Sequence, residues 1–451
     1  MKNKSISIAG AGLVGSLLGL RLLQKGYRVE LYESRSDMRK QNISSGRSIN
    51  LALSHRGIQA LKLVGLDHEI LEHAIQMEGR MIHTLDGQLH FQDYSSREGE
   101  YINSISRKTL NVILLDALEE LSPSCLHFDT KLISWHPEKS SATFYNKEVG
   151  NIHSEGILIG TDGANSIARK FLMENSARIR FNYSQRFQDY AYKELTIPPD
   201  AHGNFQLKKN ALHIWPRGHF MMIALPNPDA TFTATLFIPF TGNDGLEGLQ
   251  NDEQVITYFE KNFPDCLPLI PNLTEEFFKH ATGHLYTVKC QPWHFEDKLL
   301  LMGDAAHAII PFYGQGMNCG FEDVFEFDQL LEHEHTTQQL FDQFSNQRKI
   351  NTDAIADLAE DNFIEMRDKV ADPIFQAKRK LEMQLEATYP EYYSKYAMVT
   401  FRPDMSYYDA MVLGRAQDEL LMKTCADKRE FTDLELDTIY QELKNLKYYR
   451  T

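Results

Sequence analysis

Ten residues into the chain, Gly10-Ala11-Gly12-Leu13-Val14-Gly15 follows the apolar run Ser5-Ile6-Ser7-Ile8-Ala9 and leads directly into Leu17-Leu18-Gly19-Leu20-Arg21-Leu22-Leu23. A strand, a G-x-G-x-x-G turn and a helix in that order leave little choice of fold. The glycines permit a tight turn, close approach of backbone to a pyrophosphate, and close packing of helix on strand. The helix start adds free N–H groups and the positive end of its dipole. A second apolar strand, Val29-Glu30-Leu31-Tyr32, ends at Glu33, about where the acid that binds a ribose hydroxyl belongs. Gly10, Gly12, Leu13, Gly15 and Glu33 are therefore candidate dinucleotide-binding residues.

The same stretch has a competing reading as a secretory signal, with Lys2 and Lys4 ahead of the apolar residues 6–20. Three glycines at fingerprint spacing argue against it, Arg21, Lys25 and Arg28 break the apolar character beyond residue 20, and no small-residue cleavage site appears. The formal charge of −15 argues against non-specific attraction to nucleic acid or acidic membranes. Five cysteines, widely spaced and without a C-x-x-C pair, suit a reducing compartment and offer no metal or disulfide framework. No run approaches the roughly 18 apolar residues of a membrane helix. These features predict a soluble cytoplasmic protein with neither metal nor membrane anchor.

The texture of the chain changes three times. Residues 1–177 alternate β-rich runs with helical patterns such as Arg107–Leu121, as in an α/β fold with a largely parallel sheet. Residues 178–288 hold apolar runs separated by Pro and Gly, among them Ala211-Leu212-His213-Ile214-Trp215 and Phe220-Met221-Met222-Ile223-Ala224-Leu225. They read as a mostly antiparallel sheet domain. The α/β texture returns over 289–330, and 331–451 is helical, with Pro373, Pro390 and Pro403 as expected breaks. The fold class is thus α/β: a Rossmann-like dinucleotide-binding domain in two parts, an inserted β-sheet substrate domain, and a C-terminal helical region.

Two further motifs repeat the strand–turn–helix logic. Ile157-Leu158-Ile159-Gly160-Thr161-Asp162-Gly163 is an apolar strand breaking into a glycine-relieved turn, with Asn165 or Ser166 placed to cap the next helix. Asp162 can hold that loop through backbone N–H groups, and Arg169 offers a charge for a phosphate or carboxylate. Alone, the motif reads equally as a structural corner. Lys298-Leu299-Leu300-Leu301-Met302 feeds Gly303-Asp304-Ala305-Ala306-His307, where Asp304 can accept from a ribitol or ribose hydroxyl. Further on, Pro311-Phe312-Tyr313-Gly314-Gln315-Gly316-Met317-Asn318 enters a helix whose start suits contact with a flat polar ring. His307 has no Ser or Cys nucleophile beside it in this motif and is expected as a helix-start or packing residue.

Taken together, the glycine fingerprint, Gly160-Thr161-Asp162-Gly163, and Gly303-Asp304 with Pro311 resemble the single-component FAD-dependent aromatic hydroxylases. Four more segments resemble the branch of that family that hydroxylates L-kynurenine at ring position 3. They are Glu78-Gly79-Arg80-Met81-Ile82-His83, the segment 311–318, Asn362-Phe363-Ile364-Glu365-Met366-Arg367, and Met398-Val399-Thr400-Phe401. The resemblance implies FAD as cofactor, with NADPH, O2 and L-kynurenine as reactants, in tryptophan degradation by the kynurenine pathway. It implies that Arg80 clamps the substrate carboxylate, that Tyr94 joins it, and that Asn362 and Tyr407, with Tyr408 beside it, complete the amino-acid pocket. On the cofactor side it implies Glu33, Arg107, Leu132, Asp304, Met317 and Asn318, which Asp162 and Gly316 join as candidates from their own motifs. Relatives with a membrane anchor end in an apolar tail, whereas this chain ends in a charged one.

One dinucleotide fingerprint serves two nucleotide cofactors, so NADPH is expected to visit, deliver hydride and leave. Reduced flavin would then add O2 as a 4a-hydroperoxide, which an electron-rich aminophenyl ring attacks. Such chemistry asks the protein to exclude water and align the ring, and assigns no residue as acid or base. Leu212, Met222, Phe237, Pro311, Phe312 and Tyr313 are candidates for that dry wall, each equally readable as plain core. Competing readings are an NAD-linked dehydrogenase, which leaves the second and third motifs idle, and a hydroxylase of a phenolic acid, which needs no amino-acid clamp. The W-x-W-x-I-P signature of flavin halogenases is absent.

Overall fold

A computed structural model describes residues 1, 4–40, 50–333, 336–366, 372–428 and 430–446. Arg367 and the tail residues 447–451 lie outside the described residues. The chain divides into two units: residues 1–73, 105–187 and 286–356 form the first, and 74–104, 188–285 and 357–451 the second.

The first unit is built on a six-stranded sheet. Ile6–Ala9 lies at its centre, parallel to Val29–Tyr32 on one side and Ile157–Gly160 on the other. Leu299–Leu301 continues the parallel order, Leu126–His127 and His294–Phe295 close the edges, and the last of these runs antiparallel. All four residues of the central strand are buried, as are those of Ile157–Gly160. Burial on both faces is what a parallel sheet under helices requires, and it explains why these strands read as unbroken apolar runs. Helix Leu13–Gln24 packs against Arg107–Leu121 and Gly316–Leu331. Ser106 caps the second of these by accepting from the Thr109 N–H, a contact worth about 1 kcal/mol. A three-stranded antiparallel sheet, Thr130–His136, Ser141–Asn146 and Gly150–Glu155, completes the unit.

The second unit carries an antiparallel sheet in which Met221–Pro226 lies between Ala211–Pro216 and Phe232–Pro239. Gly79–His83 runs parallel to Ala211–Ile214, and Leu89–Asp93 pairs antiparallel beyond it. Segment 74–104 therefore joins this unit and not the nucleotide unit, where the sequence texture had placed it. Its hairpin satisfies its backbone groups on the sheet edge. In the same way residues 331–356 belong to the first unit, and only 357–451 join the second.

Side chains alternate along each strand, so this sheet has two distinct faces. One face carries Trp215, Met222, Ala224, Ala234 and Leu236 into a core with Val255, Phe259 and Phe277, from helices Asp252–Asn262 and Leu273–Lys279, and with Phe263 just past the first of them. By the observed registers, the other face carries Arg80, Leu212, Ile223 and Phe237. A second core, with Leu381, Leu385, Tyr392, Leu421 and Ile439, joins the C-terminal helices Pro373–Thr388, Tyr407–Asp427 and Asp433–Lys444. Pro373 starts a helix instead of breaking one: it stands at the first helical position, and the Asp372 side chain accepts from the Ile374 N–H.

Behind the sheet lies a buried polar chain. His213 Nε2 faces the Lys208 carbonyl at 2.9 Å, its Nδ1 meets His83 Nε2 at 2.8 Å, and His83 Nδ1 meets Asp265 at 2.8 Å. Burial pushes His213 down to about 4. The unfolded chain, titrating near 6.5, therefore binds a proton that the folded chain resists, and stability falls as pH drops from about 6.5 towards 4. We expect this residue to withdraw about 2 kcal/mol by pH 5. Urea unfolding at pH 7 and pH 5 checks this, and His213→Gln should flatten the difference.

Candidate active site

The glycine turn of the first unit has the shape that a closely approaching diphosphate needs. Gly10 has φ +102°, and a Cβ there would lie 2.6 Å from the Thr161 carbonyl oxygen. A Cβ on Gly15 would lie 2.0 Å from the Gly10 carbonyl oxygen, so helix and strand touch through bare backbone. A Cβ on Gly12 meets nothing within 4 Å, which leaves the mouth of the turn open. Gly12 caps helix Leu13–Gln24 without a side-chain bond, and the first intrahelical bond is Ser16 N–H to Gly12. The N–H groups of Leu13, Val14 and Gly15 thus have no acceptor within the helix. Such a helix start binds anions.

Glu33 follows the second strand and is buried. It accepts from the Ala11 N–H at 3.0 Å and from the backbone N–H and Nε of Arg35 at 2.9 Å each. Burial raises its pKa, but Arg35 and the backbone donors outweigh burial and hold it below the ordinary carboxylate range. It is therefore an ionised acceptor, as a ribose diol requires.

The second and third motifs are tied together. Thr161 Oγ1 donates to the carbonyls of Ala9 and Gly10 at 3.0 and 2.8 Å, closing the second turn onto the first. Asp162 accepts from Ile167 N–H (2.6 Å), Ala168 N–H (3.1 Å) and Ser166 Oγ (2.5 Å). The carboxylate thus holds the start of helix Ile167–Glu174. Arg169 is buried and donates to the carbonyls of Ala164 and Ala305 at 2.5 and 2.8 Å. Through these carbonyls it binds one motif loop to the other.

Asp304 is exposed at the start of the short helix Asp304–His307. The Gly303 before it has φ +60°, and its N–H donates to Asp323 at 2.9 Å. His307 is buried with Nε2 2.6 Å from Asp323, which Arg348 also grips at 2.7 Å. Burial opposes a charge on His307, yet Asp323 outweighs it and holds the imidazole well above its ordinary value. His307 is thus part of a buried ionic scaffold.

Pro311–Tyr313 forms a single turn with Phe312 and Tyr313 buried and Pro311 exposed. The helix Gly316–Leu331 begins at Gln315 with no side-chain cap, and its first intrahelical bond is Cys319 N–H to Gln315. The N–H groups of Gly316, Met317 and Asn318 therefore have no acceptor within the helix. The Asn318 side chain is committed elsewhere: it accepts from Ser54 N–H at 2.9 Å and donates to Ala52 and Gly314 at 2.8 and 3.0 Å. Whatever Asn318 offers a ligand comes from its backbone. Arg107 is exposed at the first turn of Arg107–Leu121, and Leu132 is buried opposite Phe144. Open turn, bare glycines, ionised Glu33 and two uncapped helix starts fit a flavin dinucleotide.

The second unit holds a different construction. Arg80 projects from Gly79–His83 beside two aromatic rings, 5.4 Å from the centre of Tyr94 and 4.5 Å from that of Tyr396. The two rings stack on each other with centres 5.5 Å apart. Arg80 Nε and the Tyr94 hydroxyl are buried and have no hydrogen-bond partner among the described residues. Burial pushes the Tyr94 phenol up, so it stays a neutral donor. An unpaired guanidinium nitrogen beside an unpaired phenol suits a bound carboxylate. Asn362 is buried near the end of helix Thr337–Ile364, with Nδ2 3.4 Å from Met366 Sδ. Phe363 meets Tyr190 edge-on at 4.9 Å.

Tyr396 is the residue that sequence reasoning missed. The structure places it over Arg80, while Tyr407 is fully buried at the start of its helix. Met222 needs a correction as well. Strand alternation turns it away from Arg80 into the core with Trp215 and Leu236, so it lines no wall beside Leu212 and Phe237. We expect Met222→Ala to cost roughly 2–5 kcal/mol of stability while leaving substrate KM unchanged. Denaturant unfolding together with steady-state kinetics checks both halves.

Comparison with known proteins places this geometry. The FAD binding domain family model matches residues 3–359. The chain is 44% identical to kynurenine 3-monooxygenase of Myxococcus xanthus, over 89% of this chain and 86% of that one. It is 40% identical to the same-named proteins of Legionella pneumophila and Dictyostelium discoideum, over 98% and 99% of this chain and 97% and 98% of theirs. Among solved structures, 2-methyl-3-hydroxypyridine-5-carboxylic acid oxygenase is similar with a TM-score of 0.66 and 18% identity, over 84% of this chain and 95% of that one. PqsL of P. aeruginosa, solved with 2-aminobenzoylacetate, reaches 0.62 at 16% identity, over 81% and 97%. At that identity the structures speak for the fold alone. Among the described residues, no helix is long and apolar enough to cross a membrane.

Proposed function

From the premise that this chain belongs to the kynurenine 3-monooxygenase family of FAD-dependent hydroxylases, we propose how its own residues divide the work. The enzyme hydroxylates L-kynurenine to 3-hydroxy-L-kynurenine with NADPH and O2. When bound, FAD would supply the oxygen-activating chemistry. Residues 10–15 hold its diphosphate through bare backbone and the free N–H groups of the first helix. Glu33 would hold the ribose, Asp304 a hydroxyl of the ribityl chain, and the N–H groups of Gly316, Met317 and Asn318 the polar ring. Asp162 and Arg169 keep the second and third loops in place.

In the second unit Arg80, Tyr94 and Tyr396 grip the substrate carboxylate, and Asn362 takes its amine. Leu212 and Phe237, on the Arg80 face, keep water from the aromatic end. The aminophenyl ring is itself electron-rich, so the residues have to align it and exclude water instead of supplying a strong base. A reducing compartment, the cytoplasm, is part of the proposal, and it agrees with five buried cysteines that form no disulfide.

The observation that carries the substrate class is Arg80, its Nε buried and unpaired beside two stacked aromatic rings. NADPH oxidation in air by the FAD-loaded protein, with and without L-kynurenine, tests the proposal. Substrate-stimulated oxidation with stoichiometric 3-hydroxykynurenine is expected. Oxidation yielding only H2O2 would redirect the substrate to a phenolic acid.

A further inference from the structure

Lys395 is an unusual residue where it stands. It opens helix Lys395–Phe401, whose positive dipole end disfavours a cation, and its side chain is only 8% exposed. Its Nζ lies 2.8 Å from Glu365 and 2.5 Å from Asp418. Asp418 is shared with Lys378, which also pairs with Glu382 at 3.0 Å. Burial disfavours the Lys395 charge, but Asp418 and Glu365 outweigh it. Room for the stem comes from Gly414, where a Cβ would lie 2.5 Å from Lys395 Cγ.

The three residues of this ion pair cluster have distinct neighbours. Lys395 directly precedes Tyr396, which covers Arg80. Glu365 stands three residues beyond Asn362, where the helix loosens into a π turn at 365–366. Asp418 sits mid-way along helix Tyr407–Asp427, which fills the C-terminal core. One buried ion pair network therefore joins the backbone under Tyr396 to the turn just beyond Asn362.

We propose that Lys395 is a positioning residue for amino-acid recognition, fixing Tyr396 and Asn362 at one spacing so that carboxylate and amine are gripped together. It touches neither substrate nor cofactor, and the inference rests on the amino-acid clamp proposed above. Buried ion pairs contribute little net stability and are expensive to break from one side, so specificity is their best use.

The test uses FAD-loaded wild type, Lys395→Met, Lys395→Arg and Glu365→Gln. Each is titrated, through flavin absorbance, with L-kynurenine and with 2-aminoacetophenone, which keeps the aminophenyl ketone and lacks the amino-acid end. Lys395→Met and Glu365→Gln are expected to weaken L-kynurenine on the order of tenfold while leaving 2-aminoacetophenone unchanged. KM rises more than kcat falls, and Lys395→Arg recovers most of the discrimination. Parallel weakening of both ligands, or unchanged L-kynurenine affinity, overturns the inference while the proposed function stands. A wild type indifferent to L-kynurenine overturns the proposed function and this inference with it. Glu365→Gln keeps the test decisive if Lys395→Met does not fold.

Discussion

Arg80→Ala is expected to weaken L-kynurenine binding by about 3 kcal/mol, roughly 100-fold in Kd, with FAD still bound. The guanidinium lies beside the stacked rings of Tyr94 and Tyr396, with its Nε shielded from water and unpaired. Its desolvation is therefore already met in the free protein, and a carboxylate arriving there gains charge-assisted hydrogen bonds at little further cost. Truncation removes that partner and leaves the substrate carboxylate in a poorly hydrated place. Arg80→Lys keeps the charge without the planar fork and should recover only part of the loss. Flavin absorbance titration gives Kd, and the cofactor-to-protein ratio gives retention. Unchanged affinity in Arg80→Ala would remove the clamp from the account.

The other large effect is expected at two glycines of the first turn. Gly15→Ala places a methyl 2.0 Å from the Gly10 carbonyl oxygen, far inside contact distance, so helix and strand must separate. We expect a colourless and destabilised protein, since close-packed interiors do not absorb such a shift locally. Gly12→Ala is the instructive partner. Its Cβ meets no protein atom within 4 Å, so the chain itself should fold as before. If the diphosphate lies against that backbone, Gly12→Ala nonetheless loses FAD. The flavin spectrum and the apoprotein melting temperature separate the two cases. A fully yellow Gly12→Ala protein would place the diphosphate elsewhere.

The nucleotide half of the molecule was legible because its constraints are local. Gly10 to Gly15, the strand Ile157–Gly160 and the helix Arg107–Leu121 are each specified by residues adjacent in sequence. What escaped was set by partners far along the chain. Met222 reads as a wall residue until the register Trp215↔Met222 fixes which face it takes. A shift of one residue would have reversed the answer. Segment 74–104 carries little texture of its own and is assigned by pairing with Ala211–Ile214. Tyr396 lies in a seven-residue helix with Tyr393 nearby, and nothing local marks which ring covers Arg80. Arg169 reads as a free charge because the carbonyl it serves on Ala305 lies 136 residues on.

The order of strands in the first unit sets a schedule for the newborn chain. Ile6–Ala9 leaves the ribosome first, yet the sheet it anchors is complete only when Leu299–Leu301 has followed. At ordinary elongation rates the interval is on the order of tens of seconds. Val29–Tyr32 and Ile157–Gly160 join Ile6–Ala9 within that interval, but the far edge of the apolar strand Ile157–Gly160 stays unpaired until Leu299–Leu301 arrives, exposed to aggregation. The loop of Gly303, gripped by Asp323, comes later still. Flavin capture is therefore a late event of biogenesis, and a nascent polypeptide arrested before residue 299 should emerge without colour and dependent on chaperones.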